Sequence, residues 1–192
     1  MLKIFGVTVK VEGYDNLPKK SALLIPNHTS SFDPAIILAS LETQDPSKKK
    51  PSKMPMFLAK EEAKKHKRTI GYQTIINTHY LSRINPRKSL KQIDEFFKEA
   101  KEKNKYAVVF AEGTRSKNGE VQQFKSGALR GASKFFLPII PVTINNAIDA
   151  RETSREKREV TVIFHKPMKP MMAIGANKKQ LAEKIRKIVE SK

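Results

Sequence analysis

The sequence of 192 residues contains no cysteine, and no run in it approaches the length of a membrane span. The lack of cysteine excludes disulfide bonds and thiolate chemistry. A spanning helix needs ~20 consecutive apolar residues, and no segment provides them. The N-terminus also lacks the apolar run and small-residue cleavage site of a secretory signal peptide. We therefore expect a cytoplasmic protein that is at most peripheral on the cytoplasmic face of a membrane.

Acidic residues are also few, with 19 against 38 basic ones, which gives a formal net charge of +19. Such an excess favours an anionic partner: nucleic acid, an acidic membrane surface or a phosphorylated small molecule. A lysine-rich solvated surface is the simpler alternative. Nucleic acid is the weakest of these partners, because the sequence has no tryptophan, only 7% aromatic residues and no recognisable nucleic-acid fold motif.

The length and the 39% of hydrophobic residues fit a single domain over 1–192. Strand-like patterns alternate with helical ones along the chain. We predict strands within 6–13, 21–26, 55–59, 73–81, 106–111, 139–144 and 160–165. We predict helices from Asp33-Pro34, over 87–103, over 126–136 and from Asn177. This alternation indicates an α/β fold with a largely parallel twisted sheet flanked by helices.

Polar side chains follow four of the predicted strands. His28, Lys60, Arg83 and the segment Glu112–Arg115 each come after one strand. Because ligands of open α/β sheets bind beyond the carboxyl ends of the strands, we expect these groups to gather at one edge.

The segment "NHTSSFD" places His28 five positions before Asp33. A carboxylate beside an imidazole fixes its tautomer and stabilises the imidazolium, so the pair suits a general base. The sequence has no cysteine and no G-x-S-x-G elbow, so the nucleophile is expected to be a hydroxyl of the substrate. The alternative is structural: Asp33 caps its helix and His28 is a turn residue. The two roles of Asp33 are compatible, since a carboxylate has two oxygens.

The segment "FAEGTRS" over 110–116 offers a glycine turn, backbone N–H groups, a hydroxyl and a guanidinium after a strand. These are the parts of a phosphate site, to which Lys60, Arg83 and Lys125 could add positive charge. Glu112 does not fit a simple anion site; it holds the loop, or binds Arg115 or a substrate hydroxyl. An ordinary polar turn is the alternative. The four histidines are scattered along the sequence, so we expect no metal site.

Together, "NHTSSFD", Arg83 in "YLSRINP", "FAEGTRS" and "LPIIPVTI" resemble the four ordered blocks of the glycerolipid acyltransferase family. Its best-known members, the 1-acylglycerol-3-phosphate acyltransferases, make phosphatidic acid. The resemblance spans about residues 8–146 and implies a glycerol-3-phosphate-acyltransferase-like fold. One departure is Ala111, where the family commonly has proline.

The resemblance also implies roles for individual residues. His28 would deprotonate the acceptor hydroxyl, with Asp33 as its orienter, and the hydroxyl would attack an acyl thioester. Acyl-CoA or acyl-carrier protein would be the donor, with no cofactor and no metal. The acceptor's phosphate and its loop would be bound by Lys60, Arg83, Glu112, Gly113, Thr114 and Arg115. Pro138 and Pro141 would lie on the acyl-donor side.

Attachment to an anionic membrane surface is expected to rest on basic loops. Many relatives carry a hydrophobic N-terminal segment that docks on the bilayer, whereas this sequence opens with "LKIFGVTVKVEG". The basic candidates are Lys48, Lys49, Lys50, Lys53, Lys64, Lys65, Lys67 and Arg68, with shallow insertion by Met54, Met56 and Phe57. Three alternatives stay open: another acceptor such as a different lysolipid or glycerol 3-phosphate, a lipid-binding protein without catalysis, and a nucleic-acid-binding module.

Overall fold

The computed structural model describes residues 6–42, 53–65, 73–74, 76–82, 84–116, 118–147 and 157–191. Within these ranges seven strands form one sheet. They are β1 (Val7–Glu12), β2 (Ala22–Pro26), β3 (Met56–Lys60), β4 (Thr78–Leu81), β5 (Tyr106–Val108), β6 (Ile139–Asn145) and β7 (Arg158–Phe164). Their order across the sheet is β1-β7-β6-β2-β5-β3-β4.

The five neighbouring strands β6, β2, β5, β3 and β4 all run parallel to one another. Strand β7 is antiparallel to β6, and β1 is parallel to β7, so these two strands run the other way. The predicted α/β class with a largely parallel sheet is therefore confirmed. The carboxyl ends of β2, β3, β4 and β5 consequently lie at the same edge, which we call the carboxyl edge.

Helices cover both faces of the sheet. They are α1 (Asp33–Ser40), α2 (Pro86–Glu102), α3 (Arg130–Phe135) and α4 (Lys178–Glu190). Strand β2 shows the division, because all five of its residues are buried and successive side chains enter different cores. Leu23 lies in one core with residues of α2, α3 and α4, whereas Leu24 lies in the other with residues of α1. In the described part of the chain, every helix is too short or too polar to span a bilayer.

Two predicted elements differ in extent from the structure. Strand β5 ends at Val108 rather than at residue 111, because the chain turns at Phe110, whose carbonyl accepts a hydrogen bond from Gly113 N at 3.0 Å. The single helix predicted over 126–136 is divided into a 3-10 turn, Ser126–Leu129, and the short helix α3.

Candidate active site

The carboxyl edge brings together most of the residues that the sequence singles out. His28 follows β2, the segment Glu112–Arg115 follows β5, and β5 is the neighbour of β2. Lys60 is the last residue of β3, the next strand along, and is half-buried. Arg83 comes two residues after β4 but lies outside the described residues. The predicted gathering at one edge is thus observed for the described members.

The His28 imidazole is bonded to a buried carboxylate. Its Nδ1 lies 2.8 Å from Asp33 Oδ2, and the two side chains are 19% and 0% exposed. The same oxygen accepts hydrogen bonds from the backbone N–H groups of Thr29 and Ser30, each at 2.8 Å. An oxygen that accepts three bonds requires Nδ1 to carry its proton, which leaves the lone pair on Nε2. The geometry therefore presents Nε2 as the basic nitrogen.

Asp33 does not cap helix α1. The N-cap residue is Phe32, no side chain accepts a bond there, and Asp33 is the first residue of the helix. Asp33 instead accepts hydrogen bonds from N–H groups of the turn that precedes the helix. The capping prediction is therefore wrong, because Oδ2 is committed to the turn that carries His28. Oδ1 is buried and has no hydrogen-bond partner among the residues that the structure describes.

Glu112 is buried and connects two loops. Its Oε1 accepts a hydrogen bond from His28 N at 2.6 Å, and its Oε2 accepts one from Gln122 N at 2.9 Å. A further hydrogen bond joins the same two loops, because Ser116 N donates to the His28 carbonyl at 2.8 Å. Burial raises the pKa of Glu112, and the two backbone hydrogen bonds oppose this shift. Of the roles considered from the sequence, the contacts fit the one in which Glu112 holds the loop.

Positive charge surrounds the turn after Glu112. Gly113 has φ 69°, in the left-handed region that favours glycine. A Cβ added there would lie 2.9 Å from Lys125 Nζ, so the Lys125 ammonium stands directly beside this turn. Thr114 and Arg115 are exposed at the same place. The arrangement leaves a hydroxyl, a guanidinium and an ammonium available to an anion, which is the chemistry predicted for the acceptor's phosphate.

The two prolines assigned to the acyl-donor side lie elsewhere in the sheet. The Pro138 carbonyl accepts a hydrogen bond from Leu23 N at 2.9 Å, which places it at the amino ends of β2 and β6. Pro141 is buried within β6 and pairs with Ile25. Neither residue is at the carboxyl edge, and their assignment to the donor side stays a prediction.

Two residues of the site were not singled out from the sequence. Asn27, only 4% exposed, donates to Ile144 O at 3.0 Å and accepts from Ile144 N at 2.8 Å, which fixes the end of β2 to β6. The Phe110 ring stacks on the imidazole of His28, with a centroid separation of 4.2 Å and an interplanar angle of 26°. Asn27 lies in the segment "NHTSSFD" and Phe110 in "FAEGTRS". The position of Asn27 next to His28 was the sequence signal that could have identified it.

The sequence profile of the acyltransferase family matches residues 8–145, so the chain belongs to the acyltransferase family. The family membership predicted from the four blocks is confirmed. Over 200 residues the chain is 29% identical to a probable 1-acyl-sn-glycerol-3-phosphate acyltransferase of Mycoplasma genitalium, covering 98% of this chain and 71% of the relative. It is 30% identical over 170 residues to the chloroplastic 1-acyl-sn-glycerol-3-phosphate acyltransferase LPAT1 of Arabidopsis thaliana, covering 83% and 43% of the two chains.

A solved structure has the same fold. The crystal structure of the 1-acyl-sn-glycerophosphate (LPA) acyltransferase PlsC from Thermotoga maritima superimposes with a TM-score of 0.69 at 23% identity. The match covers 99% of this chain and 76% of that one. The chain spans 71% and 65% of the two mycoplasma relatives and 46% of the relative from Limnanthes douglasii.

Proposed function

We propose that the chain transfers a fatty acyl group from acyl-CoA or acyl-carrier protein to the free hydroxyl of 1-acylglycerol 3-phosphate, which gives phosphatidic acid. The observation that carries this proposal is the 2.8 Å bond between His28 Nδ1 and the buried carboxylate of Asp33, at the edge where basic groups gather. The names of the relatives support the choice of acceptor.

The hydrogen bonds of His28 support one proposed step for each group. Nε2 of His28 takes the proton from the acceptor hydroxyl as the hydroxyl oxygen attacks the thioester carbonyl carbon. The C–S bond then breaks, the thiolate leaves, and the proton held on the imidazolium returns to its sulfur. Asp33 keeps Nδ1 protonated and stabilises the imidazolium between these two events. No covalent enzyme intermediate is required.

The acceptor's phosphate is proposed to bind at the turn after β5. Arg115 supplies a fork of N–H donors, and no acceptor within the described residues pairs with its guanidinium. Thr114 precedes it in the chain, and the Lys125 ammonium lies beside Gly113 of the same turn. Lys60 and Arg83 are proposed to complete the site from β3 and β4. Pairing of Arg115 with a phosphate would use the charge-assisted bonds that are the strongest in proteins.

The test is a thiol-release assay with acyl-CoA and with acyl-carrier protein over a panel of acceptors. The panel contains 1-acylglycerol 3-phosphate, glycerol 3-phosphate, other lysophospholipids and a lyso-aminolipid. His28→Ala should lower turnover at least ~10²-fold, the scale of general-base catalysis. His79→Gln is a matched control, because His79 also faces a carboxylate, Glu99 at 3.6 Å, but packs edge-on against Phe96. Normal turnover by His28→Ala would refute the mechanism.

We further propose an anionic membrane surface as partner, on the cytoplasmic face. Of the basic candidates, 48–50 and 67–68 lie outside the described residues, and nothing is described of the Lys65 side chain. Lys53 donates to Lys19 O and Asn104 Oδ1, before β2 and β5, and so lies at the amino edge. The predicted insertion by Met56 and Phe57 is wrong, because both are buried in the core at 0% and 2% exposure.

Met54 is 44% exposed and stays a prediction, and Ile84 is added as an apolar candidate. It is 95% exposed and follows β4 at the carboxyl edge. Ile84→Ser should weaken co-sedimentation with anionic vesicles, whereas Ile174→Ser should not. Ile174 is also an exposed isoleucine, at 39%, but it follows the 3-10 turn Pro170–Ala173 rather than a strand of the sheet. The electrostatic part should weaken from 0.15 M to 1 M salt, as the Debye length falls from ~8 to ~3 Å. Absence of binding to any vesicle would contradict this partner.

A further inference from the structure

The contact between Phe110 and His28 is not used in the proposed reaction. Phe110 is half-buried, and its ring packs against the core that contains Leu24 and the residues of α1. The same ring stacks on the imidazole of His28, at 4.2 Å between centroids and 26° between planes. The phenyl ring is thus fixed by the core and covers one face of the catalytic imidazole.

The turn after β5 determines where this ring lies. Val109 N donates to Leu24 O at 3.0 Å, which keeps the chain beside β2 for one residue beyond the strand. The Phe110 carbonyl then accepts from Gly113 N at 3.0 Å and starts the turn. Phe110 is therefore held at the junction of strand and turn, next to the chain that leaves β2. Its location depends on backbone bonds rather than on a loose side-chain contact.

The orientation of the His28 ring requires a restraint beyond the hydrogen bonds to its backbone and to Nδ1. Its backbone is fixed by Glu112 and Ser116, and its ring is fixed at one atom by Asp33. The Cβ–Cγ bond and one hydrogen bond at Nδ1 still allow the imidazole plane to tilt about the line that joins Cγ and Nδ1. A tilt would move Nε2, the nitrogen on the opposite side of the ring. A flat apolar surface against one ring face removes this freedom.

The same contact should strengthen during the reaction. An aromatic face attracts a cation, so the phenyl ring stabilises the imidazolium more than the neutral imidazole. An interaction that is stronger in the transition state than in the ground state raises kcat rather than lowering KM. In this scheme Phe110 takes no proton and forms no bond, and it acts only through the His28 ring.

We propose that Phe110 is a positioning residue that fixes the plane of the His28 imidazole and supports its charged form. This inference rests on the proposed function, in which His28 is the base. It predicts that the ring of Phe110, rather than its apolar bulk, is what turnover requires.

The kinetic test compares three substitutions. Phe110→Leu should lower kcat about 10-fold with the acceptor KM within about twofold, since misplacement of a catalytic group is costly. Phe110→Tyr keeps the ring and should retain kcat within about threefold. Phe135→Leu is the matched control, because Phe135 is also half-buried against another ring, that of Phe97, and should leave kcat unchanged. Phe110→Met replaces the leucine variant if that variant does not fold.

Two kinetic results would overturn the proposal. Normal kcat in Phe110→Leu, or in Phe110→Met where it replaces the leucine variant, would show that the ring is not needed. A rise in acceptor KM at constant kcat would make Phe110 part of the acceptor site instead.

A spectroscopic measurement separates this proposal from the proposed function. A stacked phenyl ring shields the imidazole protons, so the His28 ring protons should resonate upfield and move downfield in Phe110→Leu but not in Phe135→Leu. His28→Gln assigns the signals among the four histidines. Unshifted His28 signals in the unmodified protein would refute the stacking whether or not the chain releases thiol. Shielded signals without any thiol release would refute the proposed function alone.

Discussion

Asp33→Asn isolates the effect of the carboxylate on His28, because the change keeps the size and shape of the side chain. Asp33 Oδ2 accepts three N–H groups, from His28, Thr29 and Ser30, and the side chain is fully buried. The amide oxygen of asparagine can still accept these bonds, but it is neutral, so the bonds are no longer made to a charged group. Its NH₂ group would occupy the place of Oδ1, which has no partner in the described residues. If the amide is flipped, the NH₂ faces Nδ1 and selects the wrong tautomer of His28.

The size of the effect follows from these contacts. Hydrogen bonds to a charged group contribute ~1.5–3 kcal/mol each and neutral ones ~0.5–1.5 kcal/mol. Weakening the bonds to Thr29 and Ser30 and burying an unpaired NH₂ should together cost about 2–4 kcal/mol of unfolding free energy. For a chain of this length that corresponds to a fall in Tm on the order of 10 °C. Turnover should fall by at least ~10², because the imidazole loses both its orienter and the support of its charge.

The assay is a double-mutant cycle with His28→Ala. Turnover is read by thiol release at a temperature where all variants are folded, and stability is read separately by thermal unfolding. If Asp33 acts through His28, the double variant should turn over no more slowly than His28→Ala alone. Stability should behave differently: Asp33→Asn should destabilise more than His28→Ala, because only Asp33 bonds to Thr29 N and Ser30 N. Multiplicative losses of turnover in the double variant would refute the role of Asp33 as orienter.

Three further predictions concern the acceptor turn and the helices. Arg115→Lys should raise the acceptor KM about 10-fold with the donor KM nearly constant, because the planar fork is lost; equal rises in both would indicate a structural role. Because burial raises the pKa of Glu112, its carboxylate should take up a proton at a higher pH than an ordinary glutamate does. Turnover should fall on this acidification, since one of the two carboxylate oxygens that accept backbone N–H groups is then protonated. Because the pKa is raised, the folded state binds this proton more tightly than the unfolded state does. Protonation of Glu112 should therefore not lower the Tm measured over the same pH series. In Asp94, the side-chain hydrogen bond from Arg130 is the largest cause that lowers the pKa to about 2. Asp94→Asn should therefore cost about 1–2 kcal/mol at pH 7 in chemical denaturation, a difference that is lost as the pH falls through about 2; a difference that persists there would contradict the ion pair.

The sequence alone determined which segments form strands and which of them are buried. A fully apolar run such as "ALLIP" in β2 is consistent with a buried strand. The spacing of Ile93, Phe97 and Ala100 indicates the inward face of α2, whereas Leu90, which continues the same spacing, is 47% exposed. The pair of segments "NHTSSFD" and "FAEGTRS" was sufficient for the family. These features are local, because each depends on spacing within one short segment.

Only the tertiary structure decided which residues of distant segments contact one another. Periodicity shows which residues are buried but not that β5 lies between β2 and β3, since strand order depends on pairing between distant segments. This order brings Glu112 to the backbone of His28 and Phe110 to its ring, across more than 80 residues of sequence. It also places Met56 and Phe57 inside the core and Pro138 away from the site. A side chain's hydrogen-bond partner is fixed by the three-dimensional position of both groups, and one segment of sequence contains only one of them.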